Sequence, residues 1–162
     1  MSEQTMTLTD DLKKQIDVWV AKYPDDQKQS AVIPALHIVQ DKYHWISTDL
    51  MDEVADYLDM PSISVYEVAT FYSMFELKPV GENKLCVCTN ISCLLRGSEK
   101  VVEHLENRLG IKMGESTEDG KFALKEVECL GACGGAPMML LNKKYYEDLT
   151  PEKLDEIIDS IK

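Results

Sequence analysis

Through residues 1–80, apolar side chains recur every three to four positions, the period that lines one face of an α-helix. Leu12, Ile16, Trp19, Val20 and Tyr23 form one stripe, Leu50, Met51, Val54, Ala55 and Leu58 another, and Val65, Val68, Ala69, Tyr72 and Phe75 a third. Each stripe follows a residue able to accept from a free helical N–H. Thr9 or Asp10 precedes the first, Ser47 or Thr48 the second, and Ser64-x-x-Glu67 reads as a capping box for the third. Another helix is expected from about Ser30 to Gln40. With Ser30 as its N-cap, Pro34 falls at the end of the first turn and loses little bonding; otherwise Pro34 kinks it. Pro24 and Pro61 mark joins. Residues 1–80 therefore read as a helical bundle domain.

The pattern changes across Pro79-Val80-Gly81-Glu82-Asn83-Lys84, a turn-rich joint. Leu85 to Cys88 is a short apolar strand. Ser98 is placed to cap a helix carrying Val101, Val102, Leu105 and Leu109 and stopping at Gly110. Phe122 to Glu128 reads as a second strand, and Met138 to Leu141 with Tyr145 to Glu147 as a hairpin turning at Asn142-Lys143-Lys144. Thr150-Pro151 opens a last helix with Leu154, Ile157, Ile158 and Ile161. Strand, helix, three strands and helix describe a reduced thioredoxin-like α/β domain over residues 81–162, and the fold class is α+β.

Composition narrows the function classes. A 162-residue chain with 44% hydrophobic residues has enough apolar material for a core. Its 29 Asp and Glu outnumber 17 Lys and Arg, a formal charge of −12 that repels a nucleic acid or an anionic membrane. The run Glu115 to Asp119 reads as a solvated loop. Met1 to Val20 shows no export signal, and no apolar run is long enough to span a membrane, so a cytoplasmic location without membrane insertion is expected. In a reducing compartment clustered cysteines serve as ligands more often than as disulfides.

Four of the five cysteines form two tight pairs, Cys88-x4-Cys93 and Cys129-x3-Cys133. Each pair lies in a loop after an expected strand, and the stretch between is long enough for a crossover that brings the loops together. Four thiolates admit tetrahedral zinc or an iron–sulfur cluster. Zinc ribbons favour tighter Cys-x2-Cys knuckles, whereas the wider spacings here suit two irons; Gly97, Gly131, Gly134 and Gly135 let backbone N–H groups approach sulfur. Cys86 reads as a small buried residue on the strand, and His37, His44 and His104 as non-ligands. The glycines of 131–135 lack the spacing of a dinucleotide-binding loop.

The run Asp119-x2-Phe122-x6-Cys129-Leu130-Gly131-x-Cys133-x2-Ala136-Pro137, with Cys88-Thr89-Asn90-x-Ser92-Cys93-x2-Arg96-Gly97, resembles the family of E subunits of bacterial NADH-quinone oxidoreductase, respiratory complex I. Pro34-Ala35-Leu36-His37 and Val65 to Tyr72 are similar to that family's helical half. One departure is Ala123, where the family often carries Ser or Thr. The resemblance implies one [2Fe-2S] cluster per chain held by Cys88, Cys93, Cys129 and Cys133. It also implies a flavoprotein partner that binds NADH and FMN, other peripheral-arm subunits, and a place at the inner face of the cell membrane. The chain would then be a non-flavin, electron-carrying subunit with no complete active site of its own. The alternatives are the equivalent subunit of a soluble NAD-linked hydrogenase or formate dehydrogenase, a freestanding ferredoxin, and a zinc-stabilised binding module.

Overall fold

The computed structural model describes residues 6–161. The expectation about a leader falls partly on residues 1–5, outside the described residues. The chain divides into two compact units, the first ending at Pro79 and the second beginning at Val80.

The first unit is helical: α1 (Asp10–Val20), a 3₁₀ segment (Asp25–Ala31), α2 (Val32–Tyr43), α3 (Thr48–Tyr57) and α4 (Ser62–Phe71). The hydroxyls of Thr9 and Ser47 accept from the backbone N–H groups of Leu12 and Leu50, so two expected caps form. Two others do not. Ser30 is absorbed into the 3₁₀ segment and α2 starts after Ala31, which leaves Pro34 inside the first turn, where no helical hydrogen bond is lost. The helix α4 begins after Pro61, so Ser64 and Glu67 lie within it and form no capping box. Ile16, Leu36, Val39, Leu50, Val54 and Val65 are fully buried together. Trp19 and Tyr72 are partly exposed at 39% and 38%, at the margin of the core rather than within it. The Gln40 side chain donates to the carbonyl of Met74 at 3.0 Å and accepts from the N–H of Glu76 at 2.6 Å, holding the chain beyond α4 against α2.

The second unit carries one mixed sheet. Its elements are β1 (Asn83–Cys88), α5 (Ile91–Leu95), α6 (Ser98–Leu109), β2 (Phe122–Val127), β3 (Met139–Leu141), β4 (Lys144–Tyr146) and α7 (Pro151–Ser160). Strand order is β2-β1-β3-β4, with β1 and β2 parallel and the remaining neighbours antiparallel. The short helix α5 sits where a plain loop is expected. Gly97, at φ +93°, is the N-cap of α6, and Ser98 is its first residue. Gly110, at φ +67°, ends that helix as its spacing predicts. The Thr150 hydroxyl accepts from the N–H of Lys153 at 3.3 Å, with Pro151 opening α7. Leu85, Leu105, Leu124, Met139 and Leu154 are buried together, Leu105 from α6 and Leu154 from α7. Each such side chain contributes about 1.5–3 kcal/mol by leaving water.

The start of β1 is held close to the start of β2. The N–H groups of Glu82 and Asn83 donate to the carbonyls of Gly120 and Lys121, both at 2.9 Å. A Cβ on Gly81 would lie 2.4 Å from the backbone carbon and oxygen of Phe122. We expect Gly81→Ala to separate the strand starts and destabilise the second unit by about 1–3 kcal/mol. Thermal unfolding followed by circular dichroism would show a lower midpoint, and an unchanged midpoint would contradict the packing argument.

Candidate metal centre

The parallel pairing of β1 and β2 makes the two strands end at one edge of the sheet. Cys88, the last residue of β1, stands opposite Val127, the last of β2. The N–H of Thr89 donates to the carbonyl of Val127 at 3.2 Å, after which the two chains separate into loops. The Thr89 hydroxyl also donates to the Glu126 carboxylate at 2.6 Å.

In the first loop the Asn90 side chain accepts from the N–H of Ile91 at 2.7 Å and starts α5. This turn of helix carries Cys93 inward to 2% exposure and turns Ile91 and Leu95 outward, at 69% and 80%. Cys88 is likewise buried, and its Sγ donates to the carbonyl of Glu128, the residue before Cys129, at 3.7 Å. The N–H of Cys88 donates to the carbonyl of Met138 at 3.2 Å. Ala136 and Met138 pack around this cysteine pair. Burial pushes the Cys93 thiol up to about 11, helped by its hydrogen bond with Cys88 and the charges of Cys88 and Cys133, against a backbone hydrogen bond with Met138 that pulls it down. At neutral pH that thiol keeps its proton unless a cation displaces it.

The second loop is exposed. Gly131, at φ +74°, turns its N–H onto Cys129 Sγ at 3.4 Å. Cys133 opens a single 3₁₀ turn, Cys133–Gly135, followed by a cis Ala136-Pro137 peptide. A Cβ on Gly135 would meet the Glu147 side chain at 2.6 Å, so the loop lies directly against the chain leaving β4. The N–H groups of Asp148 and Leu149 donate to the carbonyls of Gly135 and Pro137 at 2.7 and 3.0 Å. The Tyr145 hydroxyl donates to the carbonyl of Leu130 at 3.2 Å. Tyr145 escapes a reading of the sequence because no local pattern links a hairpin tyrosine to a loop fifteen residues earlier.

The four cysteines thus lie on adjoining loops as a buried pair, Cys88 and Cys93, and an exposed pair, Cys129 and Cys133. Among the described residues, no three His, Cys, Asp or Glu side chains are drawn together as they would be around one metal ion. The donor set suits an iron–sulfur cluster: four thiols on adjoining loops, with a backbone N–H already directed at one sulfur. The other candidates are occupied elsewhere. Cys86 is buried within β1, opposite Lys125 and Leu140. The ring of His37 lies tilted against that of Phe75, centroids 5.0 Å apart, His44 ends α2 in a left-handed conformation, and His104 Nε2 is 2.9 Å from the Asp155 carboxylate.

Comparison with known proteins gives this site a context. The family model for thioredoxin-like [2Fe-2S] ferredoxin matches residues 16–162. The E subunit of the NADH-quinone oxidoreductase of Rickettsia bellii is 49% identical over 144 residues, covering 88% of this chain and 86% of that protein. The mitochondrial NADH dehydrogenase (ubiquinone) flavoprotein 2 of Dictyostelium discoideum is 47% identical over 144 residues, covering 88% of this chain and 58% of that protein. A solved NAD+-reducing [NiFe]-hydrogenase in its air-oxidised state superposes with a TM-score of 0.72 at 20% identity, which speaks to the fold. That match covers 83% of this chain and 24% of the hydrogenase chain. With the family model spanning all but the first fifteen residues and nearly half of the aligned positions shared with its relatives, the chain belongs to the thioredoxin-like [2Fe-2S] ferredoxin family and, within it, to the branch formed by the E subunits of NADH-quinone oxidoreductases.

Proposed function

We propose that the chain is the electron-transfer subunit of an NADH:quinone oxidoreductase, carrying one [2Fe-2S] cluster on Cys88, Cys93, Cys129 and Cys133 beside the FMN of an NADH-oxidising partner subunit. The observation that carries this reading is the arrival of both cysteine pairs at one sheet edge, on the parallel strands β1 and β2, in a chain of this oxidoreductase branch. Such a cluster, when bound, accepts and returns one electron at a time. The protein's part is to hold four thiolates, shield the Cys88 and Cys93 side from water, and direct backbone N–H groups at sulfur. No hydride chemistry is built from these residues, so NADH and FMN belong to the partner. In this reading the protein lies on the cytoplasmic side, peripheral to the membrane through the complex; no helix among the described residues is long and apolar enough to cross a bilayer. Residues 1–80 serve as an interaction surface for neighbouring subunits, with Ile63 and Phe71 of α4 exposed at 62% and 79%. The hydrogenase superposition favours, as the second reading, the same role in a soluble NAD-linked hydrogenase.

The deciding experiment is X-band EPR of anaerobically purified protein before and after dithionite, with iron and zinc counted on the same sample. We expect a rhombic signal on reduction and about two irons per chain; a colourless, EPR-silent protein with one zinc would replace the electron carrier by a zinc-stabilised module. Alanine at Cys88, Cys93, Cys129 or Cys133 should abolish the visible absorption, whereas Cys86→Ala should keep both colour and iron. Loss of iron from Cys86→Ala would show that the ligand set is wrong. Four thiolates in a chain of formal charge −12 resist added negative charge, so a redox titration should give a midpoint below zero. A positive midpoint would refute that electrostatic account.

A further inference from the structure

We infer that Tyr145 is a positioning residue that sets the reduction potential of the site by fixing one peptide plane beside Cys129. The inference rests on the reading of Cys129 as a cluster ligand. The Leu130 carbonyl and the Gly131 N–H are opposite ends of a single planar trans peptide, so the direction of one fixes the direction of the other. The Tyr145 hydroxyl donates to the carbonyl end at 3.2 Å, and the N–H end donates to Cys129 Sγ at 3.4 Å.

The anchor comes from the sheet, not from the loop. Tyr145 is the central residue of β4 and pairs with Leu140 of β3, and the chain leaving β4 is tied down where Lys153 Nζ donates to the carbonyl of Glu147. An exposed loop with a left-handed glycine would otherwise let this peptide rotate, because neither of its ends is part of a helix or strand. Donation to the carbonyl also polarises the peptide and strengthens its N–H as a donor. A donor aimed at a ligand sulfur stabilises that sulfur most when it carries the extra negative charge of the reduced state. Tyr145 therefore favours reduction without touching the metal centre.

The test compares Tyr145→Phe with Tyr146→Phe in the full chain. Both substitutions remove one hydroxyl from adjacent positions of β4, and Tyr146 has no contact with the Leu130 carbonyl among the described hydrogen bonds. Iron content, visible absorption and thermal midpoint are measured first, then the reduction midpoint by EPR-monitored titration. For Tyr145→Phe we expect wild-type iron and stability, with reduction disfavoured by about threefold to tenfold, where tenfold equals about 59 mV for one electron. Tyr146→Phe should retain the wild-type midpoint. Equal midpoints in all three proteins would overturn the inference, as would equal shifts in both variants, which indicate a general effect of removing hydroxyls. Loss of iron from Tyr145→Phe at unchanged thermal stability would overturn it too, since the bond would then hold the ligand itself. A wild-type chain that binds no iron would instead refute the proposed cofactor, a result separable from all of these.

Discussion

Everything at the candidate metal centre depends on two parallel strands ending together. Side-by-side parallel strands must be joined by a crossover, supplied here by α5, α6 and the turn around Gly114 to Gly120. That path returns the chain to the same end of the sheet, so residues far apart in sequence leave β1 and β2 as neighbours. An antiparallel hairpin would have sent the second cysteine loop to the opposite edge. The tight approach at Gly81 and Phe122 fixes the other end of the same pair, and with both ends fixed the register of Cys88 against Val127 has little freedom.

The two cysteine pairs then face different surroundings. Cys88 and Cys93 are enclosed by Ala136 and Met138, and burial is the largest cause of the rise of the Cys93 thiol to about 11. Cys129 and Cys133 lie open to solvent with glycines beside them. The buried pair provides a low-dielectric wall, which strengthens every charge interaction beyond it. The exposed pair lies where a neighbouring molecule can reach it. The two pairs thus differ in solvent access, one enclosed by the protein and the other open.

Much of this was legible in the sequence. The helical stripes, apart from Tyr23 and Phe75, which lie beyond the ends of α1 and α4, the strands flanking the cysteines, the Thr9, Ser47 and Thr150 caps and the Gly110 stop follow from local rules that act within one or two turns. What escaped depended on competition between local signals or on partners distant in sequence. Ser64 and Glu67 make a well-spaced capping box, yet the turn at Pro61 starts α4 earlier and absorbs them. Ser98 lost its expected place because Gly97 supplies the left-handed bend before α6. The helix α5 is only five residues long, too short for a periodic pattern, and its signal was the single Asn90 side chain. Of the candidate centre, the sequence showed the two cysteine pairs and their spacing, but the burial of one pair and the hold of Tyr145 on the Leu130 carbonyl arise from the sheet.

The bond from the Cys88 N–H to the Met138 carbonyl joins the end of the first cysteine loop's strand to the chain that leaves the second loop. With the Thr89 to Val127 bond on the other side, β1 is pinned between the strand entering the second loop and the segment leaving it. The two half-sites consequently share one mechanical frame, and neither reaches its final shape until residues from three separate stretches of the chain have met. A change that loosens β3 or the segment after Pro137 therefore reaches the Cys88 loop and the Cys129 loop alike, although it lies in neither.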